Sequence, residues 1–354
     1  MDILAYGVFS VADGPRRVGV RSTDNIIDVS SVSHLLARGS LSPLLAAGFA
    51  EWQKTKALVE ALLARGPDPA MVTPRRTATM HLPFSVGDYV DFYSSLHHAT
   101  NVGRLFRPDS EPLTPNWRHM PIAYHGRSGT VVVDGTPIRR PTGQRGAGDF
   151  GPSRRLDFEL EVGFVTGKGP TLGTPISVTE AEQHIFGLTL LNDWSARDLQ
   201  SWEYQPLGPF LGKSFATSIS PWVVPLPALE SRRVGPPNQD PNPLPYLLPP
   251  GKGLDVDLEV TINGQVVTRS NTQNLYWTMS QQLAHATSNG ATIRAGDLFA
   301  SGTISGPTPE GLGCLLEITA NGATGDYLQD GDTVTLSSSV LGECSGTVVG
   351  SLAT

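Results

Sequence analysis

Glycine and proline punctuate this chain so often that long helices and long strands have no room over most of its length. There are 38 Gly and 29 Pro, and beyond HLPFSVGDY (81–89) the apolar residues come in short β-like runs bounded by them. Each Pro removes a backbone donor and each Gly admits turn conformations closed to other residues. The pattern therefore predicts a mainly β protein with some α and much irregular surface. The stretch 225–253, with VGPPNQDPNPLPYLLPPGKG inside it, is too proline-rich for a helix or a central strand and reads as a long ordered connection.

The first 85 residues have a different texture. RRVGVRS (16–22) and NIIDVS (25–30) are strand-like, and 32–63 reads as helical. Within it Leu44, Leu45, Phe49, Trp52, Leu58, Leu62 and Leu63 fit one stripe, and Gly66-Pro67 ends the run. At 354 residues the chain exceeds the usual ~150 per domain. We expect a small module at 1–85 and a β-rich domain at 86–354. Inside the second part, TEAE from Thr179 has the capping-box pattern of a helix start, and YWTMSQQLAHATSNG (276–290) reads as a helix closed by Gly290. Asn263-Gly264 signals a two-residue hairpin.

Charge and cysteine content narrow the class. A net charge of -7 gives no electrostatic reason to approach nucleic acid or anionic lipid. Only Cys314 and Cys344 are present, which fits neither a disulfide framework nor a CxxC metal site and suits a reducing compartment. Asp2 stands where a leader would carry basic residues, and no apolar run reaches the ~18 residues of a membrane span. These features predict a cytoplasmic protein.

One segment is unusual in its carboxylates. In LDFELEVGF (156–164), read as a strand, Asp157, Glu159 and Glu161 share one face. A solvated amphipathic strand explains that pattern, and LDVDLEVTI (254–262), with Asp255, Asp257 and Glu259, is assigned to solvent. The first differs in its company. DYVDFYSSLHHATN (88–101) crowds Asp91, Tyr93, His97, His98 and Asn101 together, and LTLLNDWSARDLQSWEY (188–204) ends a buried strand at Asp193. Asp91, Glu159, Glu161 and Asp193 together suit one hard divalent cation, because all-oxygen donors select Mg, Mn or Ca over Zn. Without an ion they would repel one another. GPFLGKS (208–214) has one residue too few between its glycines for a P-loop, and HGRSG (125–129) is followed by Thr130 and so lacks the GxSxG spacing.

DFYSSLHHATNVGRLFR, PIAYHGR, GTPIRRPTGQ, LDFELE, HIFGLTLLNDWSARDLQSWEYQPLGPFLGKSFATSISPWVVP and DLFASGTISGPTPEGLGCLLE resemble the fumarylacetoacetate hydrolase family, across 3–341 and densely from Gly87 onward. The resemblance implies an N-terminal SH3-like barrel, a C-terminal mixed β-roll, a homodimer, and hydrolysis of a carbon–carbon bond in a 1,3-diketo acid, 4-fumarylacetoacetate, to fumarate and acetoacetate. It places the metal ligands on Asp91, Glu159, Glu161 and Asp193, for Ca or Mg with Mn also admitted, and a second Mg site on Asp193, Lys213 and Thr217. It puts the base on His98, its orienting carboxylate on Glu317, and charge stabilisation on Arg197, Gln200 and Lys213. Tyr93, Arg107, Tyr124, Tyr204, Gly302 and Thr303 would line the substrate pocket. Taken alone, each fits a plainer reading, with Glu317 on an alternating strand facing water and Asp157 a solvated neighbour. The same fold in related enzymes, namely acylpyruvate hydrolases, decarboxylases and isomerases, supplies the alternative activity.

Overall fold

The computed structural model of the chain describes residues 3–352. Its first part runs β1 (Tyr6–Val11), β2 (Arg17–Ser22), β3 (Asn25–Asp28), α1 (Ser42–Ala47), α2 (Phe49–Arg65), β4 (Val72–Pro74) and β5 (Ala78–His81). The expected helix over 32–63 is thus two helices preceded by turns. Pro43 sits in the first turn of α1, and Gly48 at φ 84 breaks the chain before α2. That break changes the phase of the apolar stripe. Leu44, Leu45 and Trp52 are buried, while Phe49 and Leu58 are 41% and 52% exposed. Trp52 Nε1 donates to Leu44 O at 2.7 Å and folds α2 back on α1.

The rest contributes β6 (Tyr89–Phe92), β7 (Ala123–His125), β8 (Val131–Val133), β9 (Leu160–Thr166), β10 (Ile185–Asp193), β11 (Thr217–Ile219), β12 (Trp222–Pro225), β13 (Asp257–Ile262), β14 (Gln265–Asn271), β15 (Leu298–Ala300), β16 (Thr333–Ser338) and β17 (Gly342–Val349). A 13-stranded sheet has the order β4-β3-β2-β1-β12-β10-β9-β15-β6-β7, with β5 on β1 and β11 joining β10 to β8. β1 thereby carries the N-terminal strands directly into the larger sheet through β12. A five-stranded sheet stacks β14-β13-β16-β17 with Ile138–Arg139 at its edge. Asn263 (φ 51) and Gly264 (φ 79) close the expected hairpin between β13 and β14.

Every residue of β9 and β10 is buried, so both faces of these central strands are covered. One face packs apolar residues. Phe299 stacks on Phe164 with ring centroids 5.1 Å apart and on Phe92 at 6.3 Å, an arrangement worth about 0.5–1.5 kcal/mol per pair beyond area burial. The other face collects acids, as described below.

Four short helices complete the chain: α3 (Leu96–Phe106), α4 (Arg197–Glu203), α5 (Met279–Thr287) and α6 (Leu315–Ile318). α5 starts later than the sequence pattern suggested, behind a Thr278–Gln281 capping box. TEAE forms no α-helix. Only Ala181–Gln183 makes a 3-10 turn, because the Thr179 hydroxyl pairs with Ser177 Oγ at 3.1 Å and Glu182 is drawn to Arg233 at 2.8 Å. Among the described residues no helix is long and apolar enough to cross a membrane.

Candidate active site

Register places the acids. Asp91 on β6 lies beside Ala300 of β15 and opposite Tyr124 of β7, Glu161 on β9 lies opposite Leu191 of β10, and Asp193 at the end of β10 lies opposite Thr217 of β11. Strands of the same sheet thus present carboxylates side by side. LDFELEVGF is not one strand. Leu156–Asp157 pairs with Ser195–Ala196, the ladder breaks at Phe158, Glu159 bridges Cys314, and β9 begins at Leu160.

The break separates Asp157 from the other two acids, and Asp157 is fully buried, not solvated. Its carboxylate accepts from Leu315 N at 2.7 Å, Leu316 N at 2.9 Å and Arg197 Nε at 2.8 Å. It therefore pins the first turn of α6 to the start of α4. By contrast Asp255 and Asp257 of the control segment are exposed, as expected.

Asp91, Glu159, Glu161 and Asp193 are all buried, and each offers a carboxylate oxygen within 4.8 Å of the others. Tyr124 OH donates to Asp91 Oδ2 (2.7 Å) and Asp193 Oδ2 (3.0 Å), and Gly302 N donates to Glu161 Oε2 (3.0 Å). Asp91 Oδ1 and Glu161 Oε1 have no hydrogen-bond partner among the described residues. Unpartnered buried carboxylate oxygens are costly, and these two lie in the acid cluster. Burial first, then repulsion from neighbouring acids, holds the Asp91 and Glu161 carboxyls well above the usual range. Such a donor set fits a hard divalent cation.

Two side-chain cations offset part of this charge. Lys213 Nζ bridges Glu159 and Asp193, the latter at 2.6 Å, and Arg197 Nη2 makes a 2.8 Å ion contact with Glu159 Oε1. Burial alone would raise the Glu159 carboxyl, but Lys213 and Arg197 bring it well below the usual range. Burial also opposes the Lys213 charge, yet Asp193 and Glu159 hold its pKa above normal. A protonated amine has no lone pair, so the Lys213 side chain is a counter-charge and not a metal ligand.

A second cluster adjoins the first. His98, in the first turn of α3, is buried within electrostatic range of Glu159. Its Nδ1 is 2.7 Å from Glu317 Oε2. Glu317 lies in helix α6 and is buried, not in a solvated strand. Ser305 Oγ donates to the same oxygen at 2.6 Å, and Asn101 Nδ2 to Oε1 at 2.9 Å. Burial would raise the Glu317 carboxyl, but His98, Ser305 and Asn101 bring it down to about 2. An ionised carboxylate only accepts, so His98 Nδ1 carries the proton and Nε2 is left to take one. The Tyr93 ring stands edge-on to His98, centroids 5.3 Å apart.

The remaining expected residues divide into two groups. Gly302, at φ 75, is held where a Cβ would meet Phe92 O at 2.2 Å, and the neighbouring Thr303 Oγ1 is buried without a hydrogen-bond partner among the described residues. Gln200 accepts from Arg197 Nη1 at 3.2 Å, and Thr217 Oγ1 donates to Asp193 at 3.3 Å. Arg107 and Tyr204 stay outside the buried network: both are exposed, Arg107 donates to Pro112 O at 2.5 Å, and the Tyr204 hydroxyl accepts from Gln205 at 3.0 Å. Sequence pattern makes Asp157 a solvated neighbour and gives no role to Ser305 or to Asn101, all of which the structure places in the site's hydrogen bonds. Asn101 sits three residues past His98, on the same helical face, and that spacing was the available signal.

Residues 89–349 match the family model described as fumarylacetoacetate (FAA) hydrolase C-terminal. The chain is 46% identical to a fumarylacetoacetase of Bos taurus and 45% to one of Homo sapiens, in each case over 97% of this chain and 91% of the relative. It is 44% identical to a fumarylacetoacetase of Arabidopsis thaliana, with the same coverage. Among solved structures it is similar to a fumarylacetoacetate hydrolase from psychrophilic Exiguobacterium antarcticum (TM-score 0.64, 20% identity, 98% and 99% of the two chains). It is also similar to a maleylpyruvate hydrolase from Sphingobium sp. SYK-6 in complex with manganese (II) ion and pyruvate (TM-score 0.61, 16% identity, 98% and 100%).

Proposed function

The chain belongs to the fumarylacetoacetate hydrolase family, and on that footing we propose that it hydrolyses the carbon–carbon bond of 4-fumarylacetoacetate to fumarate and acetoacetate, the last step of tyrosine and phenylalanine breakdown. The observation that carries this reading is the buried His98–Glu317 pair set beside four convergent carboxylates. His98 Nε2 takes a proton from water, and Glu317 fixes the tautomer and offsets the imidazolium charge that forms. The oxygen adds to the ketone carbon, and the adduct collapses by breaking the bond to the carbon between the two carbonyls. The electron pair leaves on acetoacetate as an enolate, which recovers the proton from His98. Lys213, Arg197 and Gln200 face that developing charge from fixed positions, which lowers its cost in a dry site.

Asp91, Glu159, Glu161 and Asp193 would hold Ca or Mg, with Mn also compatible, and a bound cation there would polarise the diketone oxygens. The manganese and pyruvate of the Sphingobium enzyme support this choice of ion class and ligand. A second, structural Mg would use Asp193 again, with Lys213 and Thr217 nearby. Tyr93, Arg107, Tyr124, Tyr204, Gly302 and Thr303 would line the substrate pocket, with the Arg107 guanidinium suited to a substrate carboxylate. The assembly is a cytoplasmic homodimer in this reading.

Loss of diketone absorbance on mixing the enzyme with fumarylacetoacetate tests the proposal. Turnover that needs Mg or Ca and falls roughly 100- to 10,000-fold in His98→Ala, with metal binding retained, is the expected result. Preference for acylpyruvates in a substrate panel, or full turnover after chelation, would reject it.

A further inference from the structure

Glu203 closes α4 with a carboxylate, at the end of a helix where the aligned peptide dipoles disfavour negative charge. Three backbone donors from outside the helix compensate for it. Its Oε1 accepts from Phe210 N and Gly212 N, each at 2.8 Å, and its Oε2 accepts from Leu211 N at 3.0 Å. The chain thus leaves α4 at Tyr204, runs out through Leu207, which is 96% exposed, and comes back to Glu203. Residues 204–216 belong to no helix or strand, so these three N–H groups have no ladder to satisfy them.

The residue that follows this clasp is Lys213. Its amide donates to Phe210 O at 3.2 Å and Ser214 N donates to the same oxygen at 2.9 Å, so a turn built on the clasped residues carries the lysine. Gly212 O accepts from Ala196 N at 2.8 Å, and Gly212 lies so close to α4 that a Cβ would meet Gln200 N at 2.7 Å. The segment is therefore held against the helix that bears Arg197 and Gln200. From there Lys213, only 6% exposed, sends its Nζ inward to bridge Glu159 and Asp193. A flexible four-carbon stem on a loose backbone would spread over many rotamers and seldom hold that bridge.

We propose that Glu203 is a positioning residue for the hydrolysis: by clasping the base of the 204–211 loop it sets Lys213 between the acids. This role rests on the reaction proposed above, in which Lys213 faces the developing enolate. Acetylation with acetic anhydride, read by mass spectrometry, tests the positioning without turnover, because Lys213 is buried and exposed Lys54 on α2 serves as the internal reference. Glu203→Ala should raise acetylation of Lys213 relative to Lys54 roughly tenfold, the factor that losing one hydrogen bond to a charged group supplies. Its kcat should fall roughly 100-fold, as for a reacting group displaced by about 1 Å, with KM changed by less than about threefold. Glu203→Gln keeps an acceptor oxygen and should recover most of both effects. Glu203→Asp keeps the charge but is one methylene short of the three donors, and should behave like Glu203→Ala. Lys213 labelling as slow in the Ala and Asp variants as in the wild type, or faster labelling with kcat unchanged, would overturn the proposal. The Asp variant decides the matter if Glu203→Ala does not fold. A wild-type protein inactive on fumarylacetoacetate would reject the reaction, and the labelling would still show whether Glu203 holds Lys213.

Discussion

Glu317 concentrates the site's electrostatics on one side chain. It receives donors from His98, Ser305, Asn101 and Cys314, and its carboxyl is brought down to about 2. A carboxyl depressed in the folded state binds fewer protons there than in the unfolded chain. Its stabilisation is therefore fully present above its ordinary value of 4.5 and is lost as pH falls through about 2. The full linkage is on the order of 3 kcal/mol. In Glu317→Gln the wild-type loss of stability across that window should be reduced by about this amount, read from urea unfolding at a series of pH values. Identical pH profiles for the two proteins would show that Glu317 is not the group that titrates. Turnover at neutral pH should fall together with this change, since a neutral amide no longer offsets the imidazolium.

Between elements, Asp157 is the joint. It accepts from two backbone N–H groups at the start of α6, which carries Glu317, and from Arg197 at the start of α4. Removing one partner of a buried ion pair typically costs about 3–5 kcal/mol, because the other charge stays behind unpaired. Asp157→Ala should lower the melting temperature by that mechanism and reduce kcat more than KM, since α6 loses its anchor. Asp157→Asn keeps the acceptor oxygen and should recover part of both. A melting temperature unchanged in Asp157→Ala would refute the anchoring role.

Across the whole molecule, the N-terminal residues proposed as a module at 1–85 share a core with the rest. Tyr6, Val8, Leu45 and Trp52 pack in one cluster with Val165, Phe186, Leu191 and Leu298. The acid cluster is set into this same body, so ion binding should be felt globally. A chelator should lower the melting temperature and abolish turnover, and Ca at about 100 times its Kd should return roughly 2.7 kcal/mol of stability. Glu161→Gln should stabilise the ion-free protein by relieving repulsion, and should lose the response to Ca. A melting temperature indifferent to both chelator and Ca would remove the basis for a metal site there.

The chain's own order of residues determined a good deal. Gly and Pro spacing dictates short strands, Asn263-Gly264 dictates a hairpin, and the four acids and the histidine stand out by residue type and company, because these are local properties of backbone and side-chain chemistry. Tertiary structure decided what local pattern leaves open. LDFELEVGF reads as one alternating strand, yet a ladder break at Phe158 sends Asp157 to α6 and keeps Glu159 and Glu161 in the cluster. Thr179 had the pattern of a helix cap, but Ser177 and Arg233 compete for the groups it would have used. Glu317 looked like a solvated strand residue until α6 folded against His98 across 219 positions of sequence. Which carboxylate meets an ion, a helix or an imidazole depends on strand register and on partners far away in the chain, and no sequence window contains both sides of those contacts.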